Sequence, residues 1–314
     1  MHKWSIVFLT LACLLASGPP VLAHEGGIVM PTDVWQHWNA DPLLALGLLA
    51  TVFLYSRGMS TLWRRAGRGR GVSQGASIAF MAGLAVLFAA LLTPLHPLGE
   101  TLFMAHMVQH LLILVIAAPL LAVGSPAFVL LWALPVSWRR SIGRLGTRPP
   151  VRRAFAVLSA PLLSAIVHAG VIWLWHVPAL YESAFVNESL HALEHVLFLG
   201  TGLLYWHGIV HARRAQAGLN ILSLFAMMMA TGLLGAALSL AGSAWYPTHI
   251  ARAPLWSLTP LQDQQIAGGI MWVPMSTVYL LAAALQIVLL LGQEEVTVRE
   301  ARLSEQEGSP HGVP

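Results

Sequence analysis

Two pairs of histidines hold the chemistry this sequence can offer, His106 with His110 and His191 with His195. Each pair is spaced i and i+4. On a helix both imidazoles then leave one face a turn apart, the geometry by which a single helix offers two ligands to one metal ion. Both pairs lie in apolar stretches long enough to cross a bilayer, where an ionisable side chain is costly and marks function by default. Two helices presenting such faces at one depth would make a site of up to four imidazoles. That site suits copper or zinc, and the Irving–Williams order favours copper(II) among nitrogen ligands.

Other residues cluster around this expectation. His176, in the run WLWHVPALY, ends another apolar stretch and is a fifth candidate ligand. Met107 and Met271, with Met104 and Met275, are expected close by, and thioether plus imidazole is a ligand set that suits copper(I) without cysteine. Methionine also serves simply to fill gaps between helices. Glu194, between the second pair, is a candidate for orienting a ligating imidazole; Asp263, at the head of a late apolar stretch, reads first as a cap of its own helix and alternatively as such an orienting acceptor. His207 and His211 form a third pair, but Arg213 beside them disfavours a cation, so they read as interfacial residues. A single haem is the competing cofactor, in a haem-binding or electron-transfer membrane protein. A stacked haem ladder does not fit pairs lying at one depth. A scaffold that binds no metal is the other alternative. No Gly-rich phosphate loop, nucleophile elbow or pair of acid–base carboxylates occurs, so the sequence does not read as an enzyme.

The elements that must position these residues are transmembrane helices. Of 314 residues, 57% are apolar and 10% charged, and the mean hydropathy is +0.70, which is too oily for a soluble domain. The pI near 9.7 does not signal nucleic acid, because the basic residues sit in short segments between apolar runs. Seven spans are expected, at about 42–55, 76–95, 101–123, 155–175, 189–210, 219–241 and 265–291. An apolar run at 127–134, after the break Gly124-Ser125-Pro126, is too short to cross. Arg57 to Arg70, Arg139 to Arg153, Arg213, Arg214, Arg299 and Arg302 all fall on one side, with Arg252 alone opposite them. By the positive-inside rule the N-terminus is outside, the C-terminus inside, and the paired histidines lie in the outer leaflet of a bacterial plasma membrane.

Residues 1–23 read as a cleavable signal peptide, with His2 and Lys3 before an apolar region and Val21-Leu22-Ala23 at its end. Residues 24–292 form the transmembrane domain, and 293–314 a polar cytoplasmic tail, at least partly disordered. The one cysteine, Cys13, lies in the signal. Its removal leaves histidine, methionine and carboxylate as the possible ligands.

Three stretches, AHMVQHLLILVIAAPLLAVGSP, HVPALYESAFVNESLHALEHVLFLGTGLLYWHGI and LQDQQIAGGIMWVP, together resemble the CtaG family of bacterial cytochrome c oxidase assembly factors. This is the multispanning family found with caa-type oxidases, and the likeness runs from about Trp35 to Leu291. It implies a role in maturing a haem–copper oxidase by helping copper reach it, with oxidase subunits as partners. The positions that match are His106, His110, His176, His191, His195 and Asp263. The single-span copper chaperones of similar name use a cysteine pair and are a different family.

Overall fold

The structure, a computed structural model, describes residues 28–212 and 214–307, the backbone alone at 214 and 293–307. The expected signal segment with Cys13, His24, Arg213 and the end of the tail lie outside the described residues. Among those described the chain is all helical, without strands. Five helices are long and apolar enough to cross a membrane: α1 (Pro42–Ala66), α2 (Gln74–Leu91), α4 (Phe103–Val123), α11 (Ala217–Ser239) and α13 (Pro260–Gly292). The backbone of α13 stays helical to Glu307. The protein is a multi-pass membrane protein.

Helix ends follow local chemistry. Asp41 accepts hydrogen bonds from the amides of Leu43 and Leu44 to start α1, with Pro42 in the first turn, and Gly67 at φ 94° stops it. Ser73 caps α2. Thr259 and Gln262 form a reciprocal capping box at the start of α13.

α4 is the central helix. Of its apolar stretch 61% is buried, against 17% for α1. It packs on α2, on the head of α13 and on α10 (Glu188–Val210), so the two helices carrying the histidine pairs are neighbours. Leu112–Ala117 of α4 is π-helical. Pro119, two residues beyond, has no N–H to return to the preceding turn. Trp206 of α10 takes up one loosened carbonyl, its indole N–H donating to Leu114 O at 2.9 Å. A second π-helical segment, Met271–Met275, contains Pro274.

Several elements differ from the sequence expectation. The stretch read as a span at 155–175 is two helices, α7 (Pro149–Leu158) and α8 (Pro161–Trp175), bent by 65°. Pro161 keeps Ala160 extended, at ψ 135°. The connection between the expected spans 76–95 and 101–123, whose Pro97 and Gly99 read as a turn, is a helix, α3 (Leu95–Thr101). The short run after Gly124 is α5 (Pro126–Ala133), which buries Val129 and Leu131 and packs on α1. A Cβ on Gly58 of α1 would lie 2.2 Å from Val129 O, so only glycine allows this approach. The arginine-rich segment is also helical, comprising α6 (Val136–Thr147) and α7. Outside the long helices, α9 (Pro178–Val186) and α12 (Pro247–Ile250) cover the end of the bundle where the histidine pairs lie.

Candidate metal centre

Position along α4 is fixed from α13. Asp263, buried, accepts from the backbone amides of Phe103 at 2.8 Å and Met104 at 2.9 Å, satisfying two of the free N–H groups that open a helix. Asp263 thus caps neither its own helix, where Thr259 does so, nor an imidazole. It anchors the turn before His106.

From that start α4 points His106 and His110 at α10, with their rings 4.1 Å apart. On α10 the rings of His191 and His195 are 4.6 Å apart. The pairs meet: His106 to His191 is 5.7 Å and His110 to His195 5.9 Å between ring centres. Glu194 belongs to the cluster itself. Its carboxylate is almost fully buried and lies 3.6 Å from His110 Nε2. His106, His191 and Glu194 each place a ligand atom within 4.8 Å of the others.

His176, at the end of α8, completes the inner side. Its ring is 6.0 Å from that of His110, and its Nε2 is 3.3 Å from Met107 Sδ. Met271 and Met275 are buried in the core, and Met104 is partly buried against it. For none of these three does a contact with the imidazoles stand out.

Two residues outside the expected ligand set stand on the other side of the cluster. His96 and Glu100 of α3 join His191 in a second group of ligand atoms within 4.8 Å of one another. The His96 ring is 5.5 Å from that of His191 and 6.1 Å from that of His195. Gln109 faces His96 Nδ1 at 2.9 Å. The i, i+4 spacing of His96 and Glu100 was the available signal, masked by Pro97 and Gly99, which read as a turn.

Hydrogen bonding sets His249 apart from the two histidine pairs. His249 is fully satisfied: Nδ1 donates to Thr101 O at 3.2 Å, and Nε2 accepts from Tyr181 Oη at 2.7 Å. Burial holds its pKa down to about 4 and pushes the Tyr181 phenol up, so this pair stays neutral at physiological pH. In contrast, Nε2 of His106, His191 and His195 and both ring nitrogens of His110 are buried without a hydrogen-bond partner. Buried polar atoms are rarely left so. A set of convergent imidazole nitrogens with one carboxylate fits a copper or zinc ion by donor type.

Residues 53–292 match the family model of the cytochrome c oxidase caa3 assembly factor, Caa3_CtaG. The chain belongs to the Caa3_CtaG family. No curated protein and no solved structure matches it. The Caa3_CtaG match includes all five candidate histidines, His106, His110, His176, His191 and His195, together with Glu194, Asp263 and the two helices that bring the pairs together.

Proposed function

We propose that this Caa3_CtaG protein is a non-catalytic assembly factor that holds copper at the cluster of His106, His110, His191 and His195 and assists its delivery to a haem–copper oxidase. The observation behind this reading is the convergence of unpartnered imidazole nitrogens from two adjacent membrane helices around a buried carboxylate. Copper is cargo here, and oxidase subunits are the partner the family implies.

The reading includes seven spans in a bacterial plasma membrane, N-terminus out and C-terminus in. The long helices supply five, and the bent pair α7–α8 a sixth. The seventh is α10, whose 23 residues rise roughly 34 Å at ~1.5 Å each, enough for a hydrocarbon core of ~30 Å. Its hydropathy is lowered by the histidines and Glu194 it contributes to the site. Arginine at the opposite end supports an outer-face position for the cluster.

Metal analysis of the purified protein tests the site. The wild type retains copper, and the His106→Ala/His110→Ala double variant loses it. Equal copper in both overturns the assignment, and a Soret band in the wild-type absorption spectrum would replace copper with haem.

A further inference from the structure

Met107 lies one residue after His106, on a neighbouring face of α4. It is fully buried, and its sulfur meets Nε2 of His176 at 3.3 Å. The protonation of that imidazole follows from its other side. His176 Nδ1 is 2.7 Å from Ile172 O, and a carbonyl can only accept, so Nδ1 bears the proton. In the neutral ring Nε2 then carries a lone pair, and the atom it faces is a thioether whose polar capacity is also a lone pair. Protonating Nε2 as well would bury an imidazolium, since His176 is only 4% exposed. Two electron-pair donors thus face each other in the core.

The same carbonyl bond is the usual support of a metal-ligating histidine, which donates its other N–H to a backbone carbonyl and so fixes tautomer and ring orientation. Metal bonds to sulfur and to imidazole nitrogen run at about 2.3 and 2.0 Å. Donors 3.3 Å apart therefore sit at about the separation of adjacent positions in one coordination sphere. His110, its ring 6.0 Å from that of His176 and its nitrogens without hydrogen bonds, is the nearest third donor.

We propose that Met107 and His176, with His110, form a second, softer metal site on the inner side of the cluster, selective for a monovalent d10 ion, copper(I). The proposal rests on the copper reading above and assigns its oxidation state at this station. Thioether with imidazole selects copper(I), whereas the group of His106, His191 and Glu194, with its carboxylate, suits a divalent ion. His110 borders both groups. An ion passing between them would keep one imidazole while the remaining ligands exchange, with no change in its charge when it enters as copper(I).

Met107→Leu tests this, because it keeps the side-chain volume and removes only the sulfur. Anaerobic titration of the purified full-length protein with copper(I) against a chromogenic chelator, and with silver(I), is expected to show binding weakened about tenfold or more in the variant. Zinc(II) binding is expected to be unchanged. X-ray absorption at the copper edge of the copper(I)-loaded wild type is expected to show a sulfur scatterer that Met107→Leu loses; the wild-type spectrum needs no variant to fold. A wild-type spectrum without sulfur, or a variant that binds copper(I) and silver(I) as tightly as wild type, overturns the soft site while leaving the histidine cluster standing. A wild type that binds neither copper nor zinc overturns both.

Discussion

α10 carries two histidine pairs of identical spacing, the second closed by His211 at its C-cap, and they end in different chemistry. His191 and His195, at one end, face a second pair from α4 and share their surroundings with Glu194. His207 and His211, at the other, stack on each other at 4.4 Å. There Phe155 lies 5.3 Å from the His207 ring, and His211 Nε2 meets Ser125 Oγ at 3.0 Å. Spacing along a helix sets only a face. What stands opposite decides what that face can do: at the first end it includes more imidazole and a carboxylate, at the second an aromatic ring and a hydroxyl.

The sharpest way to break this comparison is to remove each pair in turn. His191→Ala/His195→Ala is expected to lower copper affinity by about a hundredfold or more, bringing the metal content of purified protein to background. His207→Ala/His211→Ala is expected to keep the wild-type content. Loss of copper from the second variant alone would place the metal at the wrong end of α10.

Asp263→Ala examines how the first pair is held in position. It leaves the buried amides of Phe103 and Met104 without their acceptor, at a cost of roughly 2–5 kcal/mol for two such groups. Thermal unfolding in detergent should reveal this as a large drop in midpoint for metal-free protein. An unchanged midpoint would mean that α4 does not depend on α13 for its start.

Glu194→Gln separates ligand from bystander. The carboxylate oxygen 3.6 Å from His110 Nε2 is beyond hydrogen-bond range and has no other hydrogen-bond partner. The isosteric amide therefore breaks no hydrogen bond at that oxygen, and the midpoint of the metal-free protein is expected to hold or rise. Affinity for a divalent ion is expected to fall about tenfold, read by chelator competition. A lowered midpoint with unaltered affinity would make Glu194 a structural residue.

Much of this was legible in the sequence, for identifiable reasons. A four-residue spacing survives any tertiary context, so both pairs were visible, and their apolar surroundings set them in a membrane. His176 was placed by its position at the end of an apolar run. What stayed hidden depends on contacts between distant segments. Nothing local joins Asp263 to the amides of Phe103 and Met104, 160 and 159 residues away. The bend at Ser159-Ala160 is silent in hydropathy, since the stretch from Phe155 to Trp175 is apolar on both sides of it; Pro161 was the one local sign. His96 was lost for a different reason. Its partner Glu100 was in register, but Pro97 and Gly99 argued for a turn, and the packing of α3 on α4 outweighed their low helix propensity.

The smallest effect belongs to the arginine-rich end of α10. Ser125 has the left-handed conformation, φ 51° and ψ 51°, which an L-residue other than glycine adopts at a cost of roughly 1–2 kcal/mol. It is held between the Gly124 carbonyl, which accepts from Tyr55 Oη at 2.8 Å, and Pro126, which opens α5. Ser125→Ala keeps the strain and loses the contact with His211, so stability should fall by about 1 kcal/mol. Ser125→Gly loses the same contact and releases the strain, so its midpoint should lie above that of Ser125→Ala and close to wild type. Copper content should be wild-type in both, because this contact only packs the arginine-rich end of α10. If either variant lost copper without losing stability, the two ends of that helix would be coupled, and the division between ligand set and packing surface would fail.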